Sequence, residues 1–301
     1  MKKIRLFLLA LLPALMLVSC DPKPGPDPVN PDDGPVPGAL KGEFSVSPTK
    51  KIVFAKGNLQ YQASTKTWRF ADQQYECIGE GNANISATYD GWIDLFGFGT
   101  SGWDNGNLYY QPYNTEICGC NGCGYNYGPT DGNGAYDIDL TGDYANADWG
   151  VYNAIINGGN KPGLWKCLTY EEVRYLILDR PNATEYRFLT TINDINGLIL
   201  LPDNWTAPAG CPDNMAQLTL SQWATLEDAG AVFLPAAGQR YDKEIRVLNN
   251  MGYYWTSTAI GGFIPDAAHG LYFIMENGDI AYYGRPTRYY GCSVRLVREV
   301  E

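Results

Sequence analysis

Short stretches in which apolar and polar residues alternate predict several of the strands of this chain. Leu59 and Tyr61 alternate with glutamines, and Trp68 and Phe70 alternate with polar residues. Only four residues, 63–66, separate the two stretches. Together they predict an early hairpin with one apolar face.

Further strands are predicted nearer the end of the chain. The apolar runs that predict them are 197–202 and 231–235, both closed by proline, 271–275, and the alternating stretch 293–296. A second apolar stretch at 280–282 follows the run at 271–275, with Asn277-Gly278 between them. Asn-Gly between two apolar runs is the strongest short-range signal of a hairpin.

Helical spacing of apolar residues predicts three helices: 148–157, 170–179, and one that begins at Thr219 or Ser221 and ends before Gly230. The second opens with Thr169 and Glu172, which form a capping box. Few helices among many short strands predict an α+β domain with short antiparallel strands.

The chain begins with a secretory leader. Lys2, Lys3 and Arg5 precede an apolar run over 6–18, which is too short to cross a bilayer whose span needs roughly 20 residues. The sequence LVSC then ends at Cys20. This start resembles a bacterial lipoprotein signal, which implies that residues 1–19 are removed and that Cys20 is acylated and inserted in a lipid membrane. The alternative is an ordinary signal peptide followed by an unmodified cysteine.

Residues 20–42 are expected to form a flexible stalk. Prolines recur between 22 and 37, and proline fixes φ and removes a hydrogen-bond donor, so this segment favours an extended, solvated backbone. Its acidic residues resemble those of lipoproteins of the Bacteroidetes type, where they accompany export to the outer face. The resemblance implies an anchor in the outer membrane and a domain exposed at the cell surface.

The remainder, 43–301, is long enough to form one large domain or two closely joined lobes. The net charge of −11 argues against nucleic acid as a partner. Glycine and tyrosine are unusually frequent, with 34 and 22 residues, which favours loops and exposed aromatic surface over long helices.

Five segments resemble a known family when taken in order: ADWGVYNA (147–154), LWKCLTYEE (164–172), GAVFLPAAG (230–238), YWTST (254–258) and GCSVRLV (291–297). They are similar to Bacteroides-type lipoproteins named after the Fibrobacter succinogenes major paralogous domain. More remotely, they resemble the formylglycine-generating-enzyme variant of the C-type lectin fold. The resemblance implies a C-type-lectin-like α+β domain over 43–301, and it implies no activity, because that fold hosts enzymes, lectins and receptors.

Catalytic groups are scarce. The formylglycine-generating enzyme uses a cysteine pair in its C-terminal half, where this chain has Cys211 and Cys292. Cys292 stands in an apolar strand and is read as a core residue. His269 is the single histidine, and no Ser-His-Asp or Cys-His order of catalytic residues is identifiable in the sequence. We therefore expect no enzyme activity; an oxidase or hydrolase on this fold is the alternative.

Three cysteines, Cys118, Cys120 and Cys123, lie within six residues. In an exported protein they favour disulfides, with Cys77 or Cys167 as partners. Free thiols and a soft metal site remain open alternatives.

Calcium is the cofactor to consider, because C-type-lectin-like folds often carry it. The candidate ligands are Asp131, Asn133, Asp137 and Asp139, which supply the oxygen atoms that calcium prefers. The alternative is a set of solvated turns.

The candidate ligand-binding residues are aromatic or cationic and lie in two groups: Trp103, Tyr109, Tyr110 and Tyr113 in one loop, and Tyr282, Tyr283, Arg285, Arg288, Tyr289 and Tyr290 near the end. Tyrosine and arginine are enriched in recognition surfaces. We expect both arginines to point outward around Pro286. The function expected is therefore non-catalytic binding of a glycan or a surface protein at the cell envelope, with a structural or fimbria-associated role as a further alternative.

Overall fold

The computed structural model describes residues 36–117, 126–131, 137–261 and 266–300, so the leader, Cys20 and most of the stalk lie outside them. Within these ranges the chain is an α+β fold of small, mostly antiparallel sheets with three short α-helices, as the sequence predicts. The strands are β1 (Ala39–Ser47), β2 (Lys50–Ala55), β3 (Leu59–Gln62), β4 (Thr67–Phe70), β5 (Trp92–Ile93), β6 (Arg187–Ile192), β7 (Ile195–Leu200), β8 (Gln217–Leu218), β9 (Val232–Pro235), β10 (Gln239–Tyr241), β11 (Glu244–Arg246), β12 (Met251–Ala259), β13 (Ala268–Ile274), β14 (Ile280–Gly284) and β15 (Val297–Glu299). The α-helices are α1 (Trp149–Tyr152), α2 (Tyr170–Arg174) and α3 (Leu220–Asp228).

The first strands and the last strand share one sheet. Its order is β1-β2-β15, and both neighbours run antiparallel to β2. Phe54 lies opposite Val297, and Ile52 lies opposite Glu299. This sheet joins the first strands of the described domain to its last strand. β1 begins at Ala39, so the folded part starts before the boundary predicted at residue 43.

The predicted closing strand is displaced along the chain. We expected it over 293–296, whereas β15 begins at Val297. The residues before it make single bridges, between Phe96 and Cys292 and between Tyr254 and Ser293. These bridges reach different elements, so this segment runs through the core instead of along one sheet.

The predicted hairpins and buried strands are present. Strands β3 and β4 pair antiparallel, with Tyr61 opposite Trp68. Gln60 is buried with them, and its side-chain oxygen accepts a hydrogen bond from Arg69 Nε at 2.8 Å. Strands β7 and β9 correspond to the two predicted proline-closed runs and pair antiparallel with each other. Strands β13 and β14 form the hairpin predicted around Asn277-Gly278, and Gly278 has the positive φ of +79° that the turn requires.

The helix predicted over 148–157 is much shorter than expected. α1 ends at Tyr152, because Asn153 adopts an extended backbone and its side-chain amide donates to the Ser101 carbonyl at 2.9 Å. The other two helices begin as predicted. Thr169 and Glu172 form the capping box of α2, which continues as a π-helical turn to Asp179, and Thr219 caps α3. Among the described residues, no helix is long and apolar enough to cross a bilayer.

Arginine side chains cross the boundaries between the packed elements. The guanidinium group of Arg295 is buried and donates hydrogen bonds to Gln74 Oε1 at 2.9 Å and to the Phe233 carbonyl at 2.8 Å. Burial lowers the pKa of Arg295 to about 10, so the group stays charged at neutral pH. A buried charge requires such hydrogen-bond partners. The bond to the Phe233 carbonyl links β9 to the segment that precedes β15.

Candidate functional site

The sheet β12-β13-β14 carries tyrosines on the face opposite to Leu271 and Phe273. Tyr253 of β12 lies directly opposite Tyr272 of β13. Side chains alternate along a strand, so Tyr272 projects on the face opposite to Leu271 and Phe273, which are both buried in the core. Tyr253 and Tyr272 are half-buried in consequence.

A groove of about 410 Å³ lies on this face, and we call it the tyrosine groove. Its lining residues are Gln239, Tyr253, Tyr272, Tyr283, Gly284, Arg285, Pro286, Thr287 and Tyr290. Gly284 pairs with Gly270 across β13 and β14, and a Cβ atom on Gly284 would lie 2.8 Å from the Gly270 carbonyl oxygen. The strands therefore approach closely here, and the chain leaves β14 through Arg285 and Pro286 along the rim of the groove.

Contacts between rings hold the tyrosines in place. The rings of Tyr253 and Tyr272 stack with centroids 6.0 Å apart, and Tyr283 meets Tyr272 edge-on at 6.1 Å. On the other side, Tyr241 meets Tyr290 at 5.5 Å. Offset and edge-on pairs of this kind are favourable, so the rings form a preorganised surface.

Two phenol groups of the groove, those of Tyr253 and Tyr272, are neutral at physiological pH. Burial, followed by the nearby Cys292, Tyr272 and Tyr290, raises the pKa of Tyr253 to about 12. Burial and Tyr283 also raise the pKa of Tyr272. A neutral phenol both donates and accepts hydrogen bonds, so each of these rings offers an apolar face and a polar end.

Arg285 supplies the positive charge at the rim. Its side chain is exposed, and it makes no ion pair or hydrogen bond with any residue that the structure describes. Burial lowers the pKa of His269, and the positive charge of Arg285 lowers it further. Arg285 is therefore available to an anionic group in the groove.

The structure brings together part of the predicted binding set. Tyr283, Arg285 and Tyr290 line the tyrosine groove. Tyr289 adjoins it, since its ring meets Tyr290 edge-on at 5.1 Å. Tyr282 does not, because it packs on the other face of the sheet against the cluster that contains Leu271 and Phe273. The four residues at the groove come from one hairpin strand and the segment that follows it.

The expectation for Arg288 is wrong. Its side chain is fully buried instead of exposed. Nε donates to the Ala267 carbonyl at 3.1 Å, and Nη1 donates to the Tyr127 carbonyl at 3.4 Å. The guanidinium group also lies 5.2 Å from the centre of the Phe98 ring. These carbonyls and this ring stabilise an inward-facing cation, so Arg288 is structural.

The residues of the predicted loop do not line the tyrosine groove. Trp103 and Tyr113 are half-buried against the main core cluster. Tyr109 contacts Tyr127 with ring centroids 5.2 Å apart, and Tyr110 is half-buried. In the part of the chain that the structure describes, no ring contact joins this loop to the tyrosine groove.

Sequence reasoning missed Tyr253, Tyr272, Gln239 and Thr287 as lining residues. A signal for Tyr272 was present, because it alternates with the apolar Leu271 and Phe273. No sequence pattern pairs β12 with β13 in the register that brings Tyr253 beside Tyr272. That register comes from the tertiary fold.

The described cysteines are free thiols: Cys77, Cys167, Cys211 and Cys292. The expected disulfide from the cluster to Cys77 or Cys167 is thus not formed, and Cys118, Cys120 and Cys123 lie outside the described residues. Cys167 is buried against the Asp148 carboxylate, which together with burial raises its pKa. Burial raises the pKa of Cys292 to about 12, so this thiol is protonated.

The calcium prediction is only partly within the described residues. Asn133 lies outside them, whereas Asp131 and Asp137 are exposed. Asp139 uses Oδ1 to accept a hydrogen bond from the Ala259 backbone at 2.9 Å. Among the residues described, no group of three or more His, Cys, Asp or Glu side chains is placed to hold a metal ion.

Comparison with family models, with curated proteins and with solved structures gives no match to this chain. Its function must therefore be inferred from the geometry and chemistry of the tyrosine groove.

Proposed function

We propose that this protein is an exported lipoprotein, anchored by an acylated Cys20 in the outer membrane, whose folded domain binds a ligand without transforming it. The ligand, a glycan or a surface protein, occupies the tyrosine groove. The observation that carries this proposal is a preorganised row of tyrosine rings, half-buried except for Tyr283, beside an exposed Arg285 that makes no ion pair with any residue the structure describes. Concave sites with aromatic walls and a few polar groups are the usual form of binding sites.

The chemistry of the groove supports binding over catalysis. Among its described lining residues are phenols, an amide, a hydroxyl and a guanidinium group, with no thiol, carboxylate or imidazole. The Gln239 amide donates to Cys292 Sγ at 3.6 Å, but that thiol is fully buried, and its pKa of about 12 keeps it protonated. A nucleophilic cysteine needs a thiolate that the ligand can reach.

We also propose that the α+β domain has the C-type-lectin-like arrangement that the sequence resemblance implies. The pairing of β2 with β15 supports this arrangement, because it joins the two ends of the domain. The capped start of α2 and the buried Trp255 of β12 correspond to two of the resembling segments.

The proposal is tested by removing one ring from the groove. Tyr283 is 52% exposed and Tyr152, on α1, is 41% exposed, so Tyr152→Ala is a matched control for Tyr283→Ala. Removal of a ring on which a nucleobase stacks costs about 1–3 kcal/mol, and with a loss of that order we expect Tyr283→Ala to weaken ligand capture about tenfold or more. Capture is measured with the full chain on glycan and surface-protein arrays, beside the thermal midpoint of each variant.

Equal capture by the parent and Tyr283→Ala, with both proteins folded, would place the site elsewhere. A captured ligand that is released chemically altered would show an enzyme and overturn the non-catalytic proposal.

A further inference from the structure

The walls of the tyrosine groove resemble those of a sugar site more than those of a peptide site. Four of the described lining side chains are tyrosines, and Pro286 is the one aliphatic ring among them. Peptide sites can also have aromatic walls, but their anchors lie in pockets that are fully desolvated in the complex. A sugar ring instead presents a C–H face, which suits an aromatic ring, and a rim of hydroxyl groups, which suits phenol, amide and threonine partners.

The positive charge at the rim of the groove favours an anionic sugar. The chain carries a net charge of −11, yet the rim of the groove holds the exposed Arg285 without an ion-pair partner among the described residues. An arginine fork binds a carboxylate with two parallel hydrogen bonds. Without this local cation, an anionic ligand would be repelled by the protein as a whole.

We infer that the ligand of the tyrosine groove is a glycan that carries a carboxylate, such as a uronic or sialic acid residue. This inference rests on the proposed function. The sugar ring lies against the face of Tyr283 or Tyr272, and its carboxylate pairs with Arg285.

Matched acidic and neutral sugars test the inference. The probes are sialyllactose against lactose, and a galacturonate trisaccharide against its carboxyl-reduced form, titrated into the detergent-solubilised full chain. We expect at least one acidic probe to bind about tenfold more tightly than its neutral partner, because charge-assisted hydrogen bonds exceed neutral ones by that order. Arg285→Gln should abolish the preference. Arg298→Gln, which removes a half-buried arginine from a separate groove lined by Leu164 and Val300, should retain it.

The outcomes separate the inference from the proposed function. Equal binding of acidic and neutral probes, or a preference that survives Arg285→Gln, overturns the inference and leaves the binding function in place. Capture of a protein but of neither sugar pair, lost in Tyr283→Ala, also overturns the inference alone. Chemical conversion of any probe overturns the non-catalytic function, and the inference then stands only if the acidic probes are preferred and Arg285→Gln removes that preference.

Discussion

Burial changes the acid–base chemistry of two carboxyl groups at the residue scale. Asp94 accepts hydrogen bonds from the Ile78 backbone at 2.9 Å and from the Asn82 amide at 2.8 Å. Asp148 accepts one from the Cys167 backbone at 2.7 Å. Desolvation outweighs these bonds and raises the pKa of each carboxyl from 3.8 to about 6.

The folded chain therefore holds these two protons more tightly than the unfolded chain. Stability from each group is complete below the unfolded pKa of 3.8 and is lost as the pH rises through about 6. One pH unit inside this window corresponds to about 1.4 kcal/mol for each group. We expect Asp94→Asn to reduce the gain in unfolding free energy between about pH 6.5 and about pH 5 by about 1 kcal/mol, measured by denaturant titration.

Asp90→Asn, at an exposed aspartate, is the control and should keep the full gain. His269 acts in the opposite direction, since burial lowers its pKa from 6.5, but it is common to all three proteins and cancels in the comparison. The same gain in Asp94→Asn as in the parent would contradict a raised pKa.

Single residues also show where sequence reasoning stops. Arg285 and Arg288 flank Pro286 and look alike in the sequence, yet one is exposed and the other is fully buried. The partners of Arg288 are carbonyls of Ala267 and Tyr127, and the second is 161 positions away along the chain. No local pattern carries that information.

At the scale of elements, the capping box of α2 gives a direct test of local sequence signals. Thr169 Oγ1 accepts from the Glu172 backbone at 3.2 Å, and the Glu172 carboxylate accepts from the Thr169 backbone at 2.9 Å. Thr169→Ala leaves one of these donors unpaired, so we expect a loss of about 1 kcal/mol in unfolding free energy. The measurement is denaturant unfolding, with the exposed Thr206→Ala as a control that should change little. Equal stability of the two variants would show that the cap contributes nothing.

Elements with strong local signals were predictable, and those set by distant contacts were not. The capping box predicted α2, and Asn277-Gly278 predicted the turn between β13 and β14. The apolar spacing over 148–157 was equally regular, but the bond from Asn153 to the distant Ser101 carbonyl ends α1 early. Tertiary hydrogen bonding overrode helical periodicity there.

At the scale of the whole molecule, the proposed lipid anchor is open to a simple test. We expect Cys20→Ser to leave the chain unacylated, and therefore either unprocessed or released from membranes, because the leader is too short to span a bilayer. Membrane fractionation, detergent partitioning and fatty-acid labelling measure this. Cys211→Ser, at a half-buried cysteine of the folded domain, should remain acylated and membrane-bound. Unchanged labelling and partitioning of Cys20→Ser would refute the anchor.

The fold class of the molecule follows from its many short strands, whereas the tyrosine groove depends on how the sheets assemble. Composition indicated a tyrosine-rich surface, and Tyr283, Arg285 and Tyr290 were found from it. Tyr253 and Tyr272 could be recognised as groove residues only from the register between β12 and β13. Trp103 and Tyr113 of the loop at 103–113 pack against the main core cluster and do not line the groove.

The pairing of β2 with β15 sets the order in which the molecule can be completed. On one side of β2, residues 52–54 have their strand partners only when residues 297–299 pair with them. Contacts at such long separation along the chain form late and slowly. In a chain that is synthesised from its N-terminus, the β1-β2 hairpin therefore exists before its third strand, β15, is available to pair with it.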